Sequence, residues 1–135
     1  MKILVIEDHP TQLKLARVVL SAAGHQVSDA VAAEQAFTAI KADRPQIILL
    51  DLALPDMDGL TLARRLKADP ATRDIHIVAV TAYPEEYSKA AALAAGCDGY
   101  LVKPIDTREL SDQLSAIQGA DSQQSKERPR ETPHR

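Results

Sequence analysis

Four short apolar runs, Ile3–Ile6, Ile47–Leu50, Ile75–Val80 and Tyr100–Val102, constrain this chain more than any other feature. They are rich in Val, Ile and Leu and mostly do not alternate with polar residues. A strand with one wet face must alternate, because successive side chains point to opposite sides of a sheet. A strand that stays apolar is covered on both faces, as in a parallel sheet flanked by helices. A weaker fifth strand is expected at Gln26–Ala30, placed by Gly24 before it.

The intervening segments carry helical periodicity. Pro10 or Thr11 opens the first helix, whose Leu13, Ala16 and Leu20 share a face until Gly24 ends it. Ala33, Phe37 and Ile40 mark the second, stopped by Pro45, and Leu60–Ala68 the third, closed by Asp69-Pro70. The fourth is expected to begin near Pro84 and run through an alanine-rich stretch to Gly96. Asp106 reads as the N-cap of the fifth, with Glu109 at the capping-box position and Leu110, Leu114 and Ile117 on one face. Five βα units in succession imply an α/β fold, a doubly wound five-stranded parallel sheet with right-handed crossovers.

A chain of 135 residues with 45% hydrophobic content suits one domain able to bury a core. After Gly119 the composition turns polar, with two prolines and nearly cancelling charges, so residues 119–135 are expected to be a disordered tail behind a domain at 1–118. The lone Cys97 forms no internal disulfide framework, fits a reducing compartment and is expected to be a small buried residue. No apolar run reaches the length of a membrane span, and the N-terminal run is too short for a signal peptide, so a cytoplasmic protein is expected. A net charge of −3 and four aromatics, Phe37, Tyr83, Tyr87 and Tyr100, speak against nucleic-acid binding and against an anionic membrane.

The polar residues fall at strand ends. The first strand runs straight into Glu7-Asp8, the third ends in Asp51, the fourth in Thr81 and the fifth in Lys103, followed by Pro104. Open parallel sheets bind ligands beyond the carboxyl ends of their strands, at the point where strand order reverses. With strand order 2-1-3-4-5, Glu7, Asp8 and Asp51 share one pocket flanked by Thr81 and Lys103. Three carboxylates in one cleft need a cation, and Mg²⁺ is held by such oxygen ligands while keeping several waters. Lys103 can steady the third carboxylate or a phosphoryl group on it, and the Thr81 hydroxyl can bond a phosphate oxygen. The arrangement suits transfer of a phosphoryl group onto Asp51, by positioning and charge neutralisation. Asp56 and Asp58, in "PDMDG", read as turn and cap residues rather than metal ligands. His9, next to the acid pair, reads as a loop residue.

The acidic pair Glu7-Asp8, Asp51 in "LLDLALPDMDG", "VTA" around Thr81 and "LVKP" around Lys103 together resemble the receiver domain of two-component response regulators, over about Lys2 to Gln118. "TAYP" and "AAGCDGYLVKPI" further resemble stand-alone, single-domain receivers. The resemblance implies a flavodoxin-like, CheY-like fold. It implies that Asp51 accepts phosphate from a histidine kinase or histidine phosphotransfer protein. Asp8 and Asp51 would ligate Mg²⁺ directly, Glu7 through a water, and the backbone carbonyl of Ala53 would complete the set. Thr81 and Tyr100 look like the switch pair, Pro104 is a candidate for a cis peptide after Lys103, and Ala53 and Tyr83 stand where the family tunes phosphate lifetime. The face of the fourth helix, fifth strand and fifth helix would contact a downstream protein, and the resemblance allows a homodimer there.

On this reading the protein is no enzyme beyond its own phosphorylation and dephosphorylation. A fragment of a larger transcriptional regulator is the alternative. A Mg²⁺-dependent aspartyl phosphatase is disfavoured because Ala53 stands where a second aspartate is needed. A nucleotide or flavin binder lacks its glycine-rich loop.

Overall fold

The computed structural model describes residues 1–119; the remainder of the expected tail, from residue 120 on, lies outside the described residues. In chain order the elements are β1 (Lys2–Ile6), α1 (Pro10–Ala22), β2 (Gln26–Ala30), α2 (Ala33–Ala42), β3 (Ile47–Asp51), α3 (Gly59–Ala68), β4 (His76–Thr81), α4 (Lys89–Ala94) and β5 (Gly99–Val102). A further helix, α5, covers residues 107–119. The chain forms two compact units, Met1–Pro104 and a second that begins at Ile105.

In the first unit, five parallel strands lie in the order β2-β1-β3-β4-β5. Ile3, Leu4, Val5 and Ile6 of β1 and all five residues of β3 are buried, because both faces of these strands are covered. Leu4, Ile6, Ile48, Leu50, Ile77 and Ala79 join Ala36, Ile40, Leu62, Ala63 and Leu66 of α2 and α3 in one cluster. Helix α1 lies along β1 and β2 and buries Ala16 and Leu20. No helix among the described residues is long and apolar enough to cross a membrane.

The second unit contributes α5, started by Asp106, whose Oδ1 accepts the Arg108 and Glu109 amides at 2.8 and 3.3 Å. Leu110, Leu114 and Ile117 are buried.

Helix α4 departs from expectation, starting at Lys89 rather than near Pro84. The Tyr83 carbonyl accepts the amides of Glu86 and Tyr87 at 3.0 and 2.9 Å, which closes a separate turn. Ser88 then takes extended angles, φ −74° and ψ 160°, and caps a new helix by accepting the Ala91 amide at 3.1 Å. A serine hydroxyl satisfies a helix's unpaired amides better than it serves mid-helix, so the chain breaks there.

The rim where β4 and β5 begin is tied together by Lys67. Its Nζ donates to the carbonyls of Arg73 (3.2 Å) and Ile75 (2.8 Å) and to Asp98 Oδ2 (3.3 Å), which also accepts the Ile77 amide at 2.8 Å. The lysine stem lies on Gly96, whose φ is +102° and where an added Cβ would come within 2.6 Å of Lys67 Cγ. Cys97, next along, is buried, and burial pushes its thiol up to about 11.

At the opposite rim Gly59 opens α3 against the strand that precedes it. An added Cβ there would stand 2.5 Å from Leu52 Cα and 3.0 Å from the Asp51 carbonyl oxygen, both backbone atoms that cannot swing aside. Gly59→Ala is expected to lower stability by about 1–3 kcal/mol, the usual range for overpacking, in urea unfolding followed by circular dichroism. An unchanged midpoint would show that this approach is not tight.

Candidate functional site

Strand register brings the polar residues together. Ile6 of β1 pairs with Leu50 of β3, so Glu7 and Asp51, one residue further along each, arrive level. Asp51 pairs with Val80, which sets Thr81 one step beyond it, and Thr81 pairs with Val102, which sets Lys103 one step beyond again. Backbone bonds continue past the strands: Glu7 N–H donates to Ala30 O at 3.0 Å, Leu52 N–H to Val80 O at 3.0 Å and Lys103 N–H to Thr81 O at 2.8 Å. The adjoining ends of β1 and β3 thus carry acids, and the β4 and β5 ends carry a hydroxyl and a cation.

Glu7, Asp8 and Asp51 each offer a carboxylate oxygen within 4.8 Å of the others. Glu7 and Asp51 are 6% and 5% exposed, whereas Asp8 faces solvent. Lys103 Nζ stands between the two buried acids, 2.6 Å from Glu7 Oε1 and 3.2 Å from Asp51 Oδ2. The second Glu7 oxygen accepts the His9 amide at 3.2 Å, and Asp51 Oδ1 accepts the Ala53 amide at 3.0 Å. Burial, only partly offset by the Lys103 hydrogen bond and reinforced by Asp51, raises the Glu7 pKa above its ordinary value of 4.5. For Lys103 burial acts downward, but the hydrogen bond it donates to Glu7 and the charges of Asp51 and Glu7 outweigh it, and the pKa ends above 10.5.

Thr81 is fully buried, and its Oγ1 accepts the Tyr83 amide at 2.9 Å, which leaves the hydroxyl proton for a donor role. Tyr100 is half-buried against the core and donates its hydroxyl to the Tyr87 carbonyl. Burial, with Glu85 nearby, pushes the Tyr100 phenol up and keeps it protonated for that bond. The Lys103–Pro104 peptide is cis. Glu7, Asp8, Asp51 and Lys103 form one cluster; Thr81 closes the neighbouring strand, while Tyr100 is engaged with the loop before α4.

The donor set suits a small hard divalent cation, since oxygen ligands from two strand ends converge and one of them is open to solvent. Asp58 is the N-cap of α3, accepting the Leu60 amide at 2.7 Å. Asp56 is also a cap, but of α2: it takes the amides of Ala33 and Glu34. Sequence reading finds a capping acid at 56 but no partner for it, because no local spacing links residues 56 and 33. The Tyr87 carbonyl escapes for the same reason.

A model of the response regulator receiver domain matches residues 3–115. The chain is 40% identical over 115 residues to the phosphate regulon transcriptional regulatory protein PhoB of Pseudomonas aeruginosa, a match covering 85% of this chain and 50% of that protein. It therefore spans about half the length of that relative. An uncharacterized 14.6 kDa protein of Leptolyngbya boryana is 36% identical over 110 residues, covering 82% of this chain and 84% of that one. Among solved structures, the receiver domain of a Pseudomonas aeruginosa sensor histidine kinase, with a magnesium ion coordinated in its active-site cleft, superposes with a TM-score of 0.79 at 30% identity, covering 87% of this chain and 97% of that one.

Replacing Lys103 with Met leaves Glu7 and Asp51 facing each other without a cation. The loss of stability is expected to be about 3 kcal/mol near pH 8 and clearly smaller near pH 5. The sign follows from Glu7. Its folded pKa already exceeds 4.5 and rises further without Lys103, so the stability it contributes is present below that value and is lost as pH climbs through the folded one. Urea melts at both pH values check this; equal losses would mean that Lys103 acts by packing alone.

Proposed function

The chain belongs to the response regulator receiver domains of two-component systems, and we propose that it accepts a phosphoryl group on Asp51 and signals through a protein contact that depends on that phosphate. The observation carrying this reading is the Asp51 carboxylate held beside Glu7 and Asp8 with Lys103 bridging two of the three acids. Receiver domains interact with histidine kinases or phosphotransfer proteins, and a phosphohistidine of such a protein is the proposed donor. An Asp51 oxygen attacks the phosphorus, the phosphorus–nitrogen bond breaks, and the imidazole leaves with a proton from solvent.

The chain's own groups prepare this step. The Ala53 amide orients Asp51 through Oδ1. The Lys103 ammonium, already against Asp51 Oδ2, is placed to neutralise a phosphoryl oxygen as charge builds there. The Thr81 hydroxyl has a proton to donate to another. Asp8 and Asp51, with Glu7 through a water and the Ala53 carbonyl, are the proposed Mg²⁺ ligands. When bound, the ion neutralises the crowded acids and the phosphoryl oxygens.

A dianion fixed at Asp51 biases a two-state surface that a partner then selects. Thr81 and Tyr100 are the proposed switch pair, and the surface around α4 and β5 the proposed contact. The work is assigned to the cytoplasm, without nucleic-acid or membrane binding, and with no catalysis beyond the protein's own phosphorylation and dephosphorylation. Action without an attached output domain is supported by the match over 84% of the Leptolyngbya protein. The match to only half of PhoB favours a second reading, in which the chain is the receiver part of a longer transcriptional regulator.

Incubation with Mg²⁺ and acetyl phosphate is expected to add one phosphoryl group, read by intact-protein mass spectrometry, and Asp51→Asn is expected to abolish it. Undiminished labelling of that variant would remove Asp51 from the role. Lys103→Ala should retain the fold by circular dichroism while impairing labelling or its transmission.

A further inference from the structure

The loop between β3 and α3, residues 52–58, leaves the acidic cluster and binds a helix to which it does not belong. Asp56 Oδ1 accepts the Ala33 amide at 2.9 Å and Oδ2 the Glu34 amide at 3.1 Å. These are the first two amides of α2, groups that an α-helix cannot satisfy by itself. The residue at the N-cap position of α2, Ala32, has no side chain able to cap it. The cap comes instead from a residue more than twenty positions later, five past Asp51. The two amides hold the Asp56 carboxyl below the usual carboxylate range, so it stays an acceptor.

The rest of the loop is fastened at both ends. The Ala53 amide donates to Asp51 Oδ1 at 3.0 Å, and Ala53 pairs with Asp58 in an antiparallel bridge. The Gly59 amide donates to Leu52 O at 2.9 Å. Leu54 and Met57 rest against the core, while Pro55 and Asp56 face solvent. The Asp56 carboxylate spans from this loop to the neighbouring βα unit.

If α2 needed only a cap, a Ser or Asp at position 32 would supply it, since φ −156° and ψ 162° there are the extended angles an N-cap adopts. A cap drawn from the loop that holds Ala53 does something a local cap cannot: it couples that loop's position to α2. We propose that Asp56 is a positioning residue for the reaction at Asp51. By holding the 52–58 loop against the first turn of α2, it sets the Ala53 backbone, whose amide orients Asp51 and whose carbonyl is a proposed Mg²⁺ ligand. The inference rests on the phosphoacceptor reading for its consequence, though not for its geometry.

Four proteins decide it: wild type, Asp56→Ala, Asp56→Asn, and the double variant Ala32→Asp with Asp56→Ala, which gives α2 a local cap and leaves the loop untied. Each is measured for melting temperature, Mg²⁺ affinity by NMR titration, hydrogen exchange of the Ala53 amide, and labelling rate with acetyl phosphate. Asp56→Ala is expected to melt earlier, bind Mg²⁺ about tenfold more weakly, the low end for outer partners of a metal ligand, and exchange the Ala53 amide faster. Asp56→Asn, which keeps one acceptor oxygen, should fall between. The double variant is expected to regain the melting temperature but not Mg²⁺ affinity, Ala53 protection or labelling rate. Recovery of all four together would overturn the proposal and leave Asp56 as a helix cap. So would Asp56→Ala with unchanged Mg²⁺ affinity and Ala53 exchange. If wild type takes no phosphate, the phosphoacceptor reading falls instead, and Ala53 exchange still decides whether Asp56 positions the loop.

Discussion

Repulsion among carboxylates is the constraint around which the open rim of this sheet is built. Glu7 and Asp51 are both buried, and each would be costly there alone. One ammonium, Lys103, touches both and comes from the far side of the sheet, beyond β4. Position 103 lies 96 residues from Glu7 in the chain, so the ion pair exists only when β1, β3, β4 and β5 are in register. The arrangement is compact but not saturated: Asp8 faces solvent beside it and adds a third negative charge. A site with surplus negative charge beside one half-buried ammonium favours further positive charge.

The sheet was legible because its strands are short apolar runs between helical segments, and each feature comes from neighbours within a few residues. Val and Ile at Ile3–Ile6 and Ile75–Val80 can hardly be read otherwise once their flanks carry Pro, Gly and acids. The gathering of the acids, Thr81 and Lys103 along one edge was legible for a related reason: polar residues directly after buried runs mark where the strands of a parallel sheet end. What stayed hidden depends on contacts across space. Helix α4 breaks at Ser88 because a hydroxyl captures an amide, a competition that an alanine-rich periodicity does not display. The bond from Tyr100 to the Tyr87 carbonyl and the reach of Asp56 to Ala33 and Glu34 join segments that no spacing rule links.

The loop after Asp51 shows how much backbone can be organised by few side chains. Asp51, Asp56 and Asp58 each use a carboxylate on amides, and the three bind the loop itself, α2 and α3 respectively. Acids that look redundant in the string "DLALPDMDG" therefore perform separate tasks. Only the first of them belongs to the charged cluster; the other two neutralise helix ends, where the dipole favours a negative group.

The Lys67 junction gives the molecule a direction. At the end where β4 and β5 begin, a single ammonium joins three acceptors, and its stem covers a glycine that tolerates no side chain. At the other end lies the acidic cluster, and the loop after β3 is held by bonds to individual carboxylates. The loops at the two edges of the sheet are thus fastened by opposite kinds of group, one ammonium on carbonyls where β4 and β5 begin and carboxylates on amides where β3 ends.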